Sequence, residues 1–339
     1  MADGRRRALL VGSLGAVVVL AVLVALVGAD DVVGVLRSAD PFFVGVTAAF
    51  GLCWLAAWSL MLRTVLGSLN VRLPVVTSFF VYTGAVFANN VTPFGQAGGE
   101  PVAALLISDV SDCRYETGLA GIASVDVINV VPSLSLVVVG VGYYATTAAV
   151  GSRLGTAVTS AVVIVGAVVV AVGAVWRYRE LLAERLPGVI APVVGRIGRG
   201  RYDAEALEST LAGRIRRFFA DIERVATNRW RLSTVVGLSL LGWLAQAVAL
   251  TTAFAAVGHT VPPHVVLFAI PLANLAGATP LPGGLGGIEA AYVALLVPTT
   301  GIGAAAITAA VLVFRGATYW MPLAIGGVVT SVLGVRAVR

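Results

Sequence analysis

Four ionisable residues stand in sequence that is otherwise apolar: Glu100, Asp126, Glu289 and Arg315. A charge within hydrocarbon is costly, so such residues pair, face a watery cavity or carry function. A carboxylate in that setting can take up a proton or bind a cationic group. An arginine offers a planar fork suited to a carboxylate or a lipid phosphate. Glu100 and Glu289 occupy like contexts. Asn90, Thr92, Pro93, Gly98 and Gly99 precede the first, and Thr279, Pro280, Gly286 and Gly287 precede the second. Each glutamate is expected to open a half-helix, with Pro101 well placed at a first helical position. A carboxylate there gains from the helix dipole, so capping and a direct part in transport stand as equal, compatible readings. Asp126 and Arg315 follow, each ahead of a proline (Pro132, Pro322), and their opposite charges suggest an intramembrane pair. The alternative places Arg315 on a lipid phosphate. Glycine amides at Gly98, Gly99, Gly286 and Gly287 offer a weaker phosphate site. Asn89, Gln96 and Asn274 add polar groups near the same places.

No Walker loop or nucleophile-elbow motif occurs, and no histidine stands at useful spacing from an acid. The expectation is a protein that is not an enzyme and needs no cofactor. Cys53 and Cys113 are isolated, and His259 and His264 have no acidic or cysteine neighbour, so no metal site is expected.

What must position these residues is a set of membrane helices. Apolar residues make up 58% of the chain and charged ones 12%, half the charge of a soluble domain. A span needs about 20 apolar residues, and six windows supply them: 8–27, 42–62, 118–147, 154–176, 232–257 and 302–335. The first follows Arg5, Arg6 and Arg7, but it is too long for a signal-peptide core and has no clear cleavage site. It reads as a retained helix. The basic residues are all arginine, which fits a GC-rich genome better than a nucleic-acid partner.

Arginine in short loops marks the cytoplasmic side. By that rule the N-terminus, Arg63 with Arg72, and the C-terminal Arg336 and Arg339 lie inside. The loop 29–41, with Asp30, Asp31 and Asp40 against Arg37, lies outside. Segment 177–231 carries twelve arginines against seven acids, which puts it inside. Within it, Leu207, Leu211, Ile215, Phe218, Ile222 and Val225 recur at helical spacing among Arg214, Arg216, Arg217 and Arg224. This is a basic amphipathic connector, suited to an anionic leaflet or simply obeying the charge rule.

The sidedness closes only if 73–108 and 261–298 each enter and leave on one side or cross an even number of times. Both begin Leu-Pro or Val-Pro (Leu73, Val261), run apolar, break at Thr-Pro, continue through glycines to a glutamate, and turn apolar again. Proline ends a helix and glycine permits reversal. Each segment therefore reads as two half-helices joined inside the membrane. The first opens from inside and the second from outside, so 42–147 and 232–335 form an inverted repeat, an architecture of secondary transporters. The predicted fold is all-α and integral to the membrane, one domain over residues 1–339. About six full spans surround two broken or re-entrant hairpins, with both termini cytoplasmic.

The run from Asn90 through Thr92, Pro93, Gly98, Gly99 and Glu100 to Pro101 resembles the first hallmark of the flippase-like family, also named for the transmembrane region of lysylphosphatidylglycerol synthase. Pro280 through Glu289 looks like its second, and Arg315 through Tyr319 to Pro322 its third. The similarity spans nearly the whole chain. Members include the membrane part of the multiple peptide resistance factor, which moves aminoacylated lipid, and related domains are fused to archaeal glycosyltransferases. The resemblance implies a lipid translocase, with the motif residues as its transport site and membrane lipids, anionic or isoprenoid-phosphate-linked, as partners. The aminoacyl-transferring domain is absent, so no lysyl-lipid synthesis is expected. Asp126 and Asn129 stand where many relatives have arginine and aspartate. The leading expectation is translocation of a polar or isoprenoid-linked glycolipid. The rivals are an ion-coupled carrier of a small solute, and a membrane subunit assisting a glycosyltransferase or lipid-modifying enzyme.

Overall fold

The computed structural model describes residues 25–92, 96–147, 173–197, 229–278 and 281–337, with scattered positions elsewhere. Most of the expected spans 8–27 and 154–176 lies outside the described residues. The other four expected spans are present. Pro41–Ser68, Tyr115–Thr146, Arg229–Ala256 and Ala304–Val329 are the four helical runs, among the described residues, long and apolar enough to cross a membrane.

The stretch read as an outer loop forms a nine-residue helix, α1 (Ala29–Arg37). Asp30 and Asp31 in its first turn and Arg37 in its last complement the macrodipole, and Val32 is buried. Helix α2 (Pro41–Ser68) starts where Asp40 accepts from the Phe42 amide at 2.8 Å and Pro41 takes the first position. Its 28 residues reach about 42 Å. Then come α3 (Val75–Val91), α4 (Gln96–Ser111) and the long α5 (Tyr115–Thr147). Helix α6 (Arg179–Ile197) begins the arginine-rich connector, much of which, including Leu207, Leu211, Ile222 and Val225, lies outside the described residues.

The second half runs α7 (Arg229–Ala256), α8 (Pro263–Leu275), α9 (Gly287–Thr300), α10 (Ala304–Arg315) and α11 (Met321–Ala337). Two 3-10 turns, Ala276–Ala278 and Pro282–Gly284, link α8 to α9. The last span is not one α-helix: a π turn, Gly316–Trp320, separates α10 from α11.

Helices α3, α4, α8 and α9 have 17, 16, 13 and 14 residues. At 1.5 Å per residue they reach about 20–26 Å, short of the roughly 30 Å hydrocarbon thickness. They pack pairwise, α3 on α4 and α8 on α9, as two hairpins. The hairpins enter from opposite ends of the bundle. At one end Arg63 donates to the Leu73 carbonyl (2.8 Å) and Arg231 to the Gly67 carbonyl (2.7 Å). This joins the end of α2 and the start of α7 to the base of the first hairpin. At the other end the Asp40 amide donates to the Ala256 carbonyl (2.8 Å), and His264 lies 4.9 Å from the Tyr143 ring. The base of the second hairpin is there.

Helices α2 and α7 form the centre, where Leu55, Met61, Leu62, Leu250 and Phe254 are fully buried. Gly242 of α7 lies flat against the Trp58 ring, with no room for a Cβ, the small-residue approach expected where helices pack in lipid. Two further contacts mirror each other: α5 packs on α8 and α11 packs on α3. Glycine mediates both, Gly140 against the backbone of His264 and Phe268 and Gly326 against the Thr83 carbonyl. Outward positions such as Leu52, Phe80, Leu105, Val138, Val139 and Leu241 remain exposed and apolar. In a membrane those surfaces meet lipid.

Candidate functional site

The hairpin tips touch. Gly283, in the 3-10 turn before α9, sits between the Tyr319 ring and the Asn90 carbonyl at the end of α3, and any Cβ would strike the ring and crowd the carbonyl. Its φ of 57° and that of Gly284 (64°) and Gly286 (80°) lie in the left-handed region that glycine adopts freely. This coil delivers Glu289 to the third position of α9. Its Oε2 accepts from the Gly286 amide (2.7 Å), and its Oε1 accepts from Arg315 Nε (2.7 Å). An Arg315 amino group donates to the Gly283 carbonyl (3.0 Å), and the guanidinium stacks 4.6 Å above the Tyr319 ring. Both charges are buried, Glu289 at 1% exposure and Arg315 at 7%. Glu289 thus caps a helix and holds an ion pair at once.

Two expectations fall here. Arg315 does not pair with Asp126, because Glu289 on the adjoining helix already takes its Nε. The Gly286 amide is not open to a phosphate, because the same glutamate holds it.

The first half differs. Helix α4 begins at Gln96, so Glu100 lies in the second turn and Pro101 lies inside the helix. Glu100 therefore does not open the half-helix, and Pro101 is not at its first position. The cause is Gly99. A Cβ there would collide with the Asn89 side chain and backbone, so the glycine serves close approach of α3 and α4 and not a turn. Glu100 faces Asp126 of α5 within reach of a carboxyl–carboxyl hydrogen bond. Thr92 ends α3 with its hydroxyl donated to the Ala88 carbonyl (2.7 Å). Gly98 is within α4 and Gly287 begins α9. Pro93, Thr279 and Pro280 lie outside the described residues.

Between the tips and the central helices lies a cavity of about 510 Å³. One wall is aromatic. Trp58 makes edge contacts with Trp54 (5.5 Å), Trp243 (5.4 Å) and Tyr82 (6.5 Å). Polar side chains interrupt the other, partly apolar walls: Asn89, Asn90, Asp126, Asn129, Gln246 and Arg315. Asn274 and Leu275, exposed at the break after α8, also line it, so its opening is there.

Some wall groups are satisfied within the protein. Trp58 Nε1 donates to the Ser239 carbonyl (3.2 Å), and the Ser239 hydroxyl donates to Asn129. Six are not. Trp54 Nε1, Trp243 Nε1, Gln246 Nε2, Asn90 Nδ2, Asn89 Oδ1 and Asp126 Oδ2 are buried without a hydrogen-bond partner. Leaving one such group unpaired costs about 1–3 kcal/mol, so six around one space mark a place suited to a polar occupant or water. The sequence reading missed Trp54, Trp243 and Gln246. The signal was present: Trp54 stands ahead of Pro74 at nearly the distance that Trp243 stands ahead of Pro262.

Apolar spanning helices around two broken hairpins, with a cavity lined in part by polar side chains at the hairpin tips, define a multi-pass membrane protein with an internal site. Residues 9–326 match the family described as lysylphosphatidylglycerol synthase TM region, and the chain belongs to that family. It is 27% identical to a UPF0104 membrane protein of Methanothermobacter thermautotrophicus, over 91% of each chain. It is 22% identical to the UPF0104 membrane protein PH1989 of Pyrococcus horikoshii, over 89% of this chain and 90% of that one. It is also 30% identical to the glycosyltransferase AglD of Haloferax volcanii, over 91% of this chain but 52% of AglD. The chain thus spans about half of that relative.

Proposed function

We propose that this protein is a carrier that moves the polar headgroup of a membrane lipid through the cavity between its hairpins, without chemical change to the lipid. The observation that carries the reading is the set of six unpartnered polar atoms around a cavity inside an apolar bundle. A ligand with both donors and acceptors, such as a glycolipid headgroup, would satisfy them, while its acyl or isoprenoid tail stays in lipid. Irregular backbone within a membrane is tolerated where it lines such a space, and the glycine coil around Gly283 does so. The opposed hairpins and the reciprocal α5–α8 and α11–α3 packing support an inverted repeat of 42–147 and 232–335. The arginines at the base of the first hairpin support placing that end, and both termini, on the cytoplasmic side.

The test is purified protein in liposomes carrying headgroup-labelled lipids, with isoprenoid-linked sugar phosphates and other glycolipids in the panel. At least one lipid should change leaflet faster than in protein-free vesicles. If none does, the carrier reading is wrong. The likeness to AglD favours a second reading, a membrane subunit that assists a glycosyltransferase on lipid-linked sugars. Under it, no lipid moves, but a co-reconstituted glycosyltransferase gains activity.

A further inference from the structure

The two halves of the molecule build the same pair differently. In the second half the glutamate of the hairpin, Glu289, meets a base on the following span, Arg315. In the first half the glutamate of the hairpin, Glu100, meets an acid on the following span, Asp126. From this juxtaposition we infer that Glu100 and Asp126 form a proton-binding site, one proton held between the two carboxyls, that opens onto the headgroup cavity through Asp126.

Three placements carry the argument: α4 packs on α5, the carboxyls of Glu100 and Asp126 are neighbours across that contact, and Asp126 lines the cavity with an unpartnered oxygen. Two carboxylates in contact repel when both are ionised, and a shared proton turns that repulsion into a hydrogen bond. No cation offers an alternative: among the described residues neither acid forms an ion pair. The charged groups on every element packed around Asp126 are engaged or remote. On α2, Arg63 is bound to the Leu73 carbonyl. On α7, Arg231 is bound to the Gly67 carbonyl, and Arg229 is exposed at the helix start. On α8, His264 lies against Tyr143 at the other end of the bundle. On α4, Asp109 is exposed, and on α5 itself Glu116 faces Arg114. Tyr82 of α3 lines the same cavity, and a phenol carries no charge at ordinary pH. Across the cavity Arg315 is neutralised by Glu289.

A second observation ties this acid pair to a ligand. Asp126 shares the cavity wall with Trp54, Trp243 and Gln246, each more than nine-tenths buried and each with an N–H lacking a partner. Asp126 Oδ2 itself is buried without a partner, while Glu100, half-buried, stands outside the lining. The occupant of the cavity therefore meets a group whose charge depends on one proton. Resting on the carrier reading, this makes proton and headgroup binding linked events. A step that carries one proton is biased by about tenfold for each pH unit across the membrane.

The proton site is tested on wild-type protein in lipid nanodiscs, by infrared titration of the protonated-carboxyl C=O stretch. A band present at neutral pH should vanish as the pH rises, and Glu100→Gln and Asp126→Asn should each remove it. Glu116→Gln should leave it unchanged. No titrating band in the wild type, or a band that survives both substitutions, overturns the site. Coupling is then read in vesicles containing whichever labelled lipid the wild type moves. The leaflet ratio at steady state should shift by up to about tenfold per unit of imposed pH difference, and Asp126→Asn should abolish the shift. Movement indifferent to the gradient overturns coupling. A titrating band in a protein that moves no lipid supports the proton site and defeats only the carrier reading.

Discussion

Glu289 with Arg315 and Glu100 with Asp126 each join a hairpin glutamate to a residue on the following span, yet they do different physical work. The first pair is closed. Each charge has its partner, the carboxylate also holds the Gly286 amide, and the guanidinium reaches back to the Gly283 carbonyl and over Tyr319. Such a set fixes a loop in one shape. The second pair is open. It lacks a base, one member keeps an unpaired oxygen towards the cavity, and its charge can change. One scaffold thus supplies a rigid half and a responsive half, and a single difference, arginine or aspartate on the span, separates them.

The comparison breaks most sharply if the closed pair is severed. Glu289→Ala or Arg315→Ala leaves a buried charge uncompensated and should cost about 3–5 kcal/mol. Thermal unfolding in detergent should show a large drop for either single variant and a smaller one for Glu289→Gln with Arg315→Met. Singles that melt like the wild type would mean that the pair does not hold the loop.

Next comes the coil that the closed pair supports. Gly283→Ala forces a side chain into a left-handed conformation and against Tyr319 and Asn90. A loss of about 1–3 kcal/mol is expected, measured as a lowered melting temperature. Alanine at Gly237, where a Cβ meets nothing, should be stable and serve as the control.

A smaller effect separates stability from transport. Trp54→Phe and Trp243→Phe remove unpartnered N–H groups while keeping an aromatic ring. Stability should change by no more than about 1–2 kcal/mol, whereas lipid movement should fall in both. If only one tryptophan matters, the cavity is read from one half alone.

The smallest change in stability belongs to the open pair. Glu100→Gln and Asp126→Asn each replace one acid of the proton-sharing pair with a neutral isostere that can still hydrogen-bond to the other, so melting temperatures at neutral pH should hold. A large destabilisation by either would show that this pair, like the other, is structural.

Much of the architecture was legible in the sequence because proline, glycine and apolar length are local signals. They gave four spans at their observed places and both hairpin breaks, near Thr92 and after Leu275. Partner choice was not local. Asp126 and Arg315 look complementary on paper, but Glu289 and Arg315 lie on neighbouring elements of one half and meet first. The role of Gly99 was also hidden, since a glycine that permits a turn and one that permits close approach read alike. The two tryptophans were visible only in comparison, by their similar distance from each hairpin. The acidic stretch 29–41 read as a loop, yet its acids and Arg37 suit the two ends of a short helix.

The π turn at Gly316–Trp320 carries one more consequence. The step from Arg315 to Pro322 is one residue longer than the step from Asp126 to Pro132. A π turn closes i to i+5 bonds and so holds one residue more than an α turn. On the repeat reading, the second half holds one residue more than the first beside its arginine, taken up as a local swelling of the helix. Without that swelling, everything beyond Trp320 would turn by about 100°, and Gly326 would leave the Thr83 carbonyl it rests on. The π turn thus takes up the extra residue while Gly326 keeps its seat on the Thr83 carbonyl.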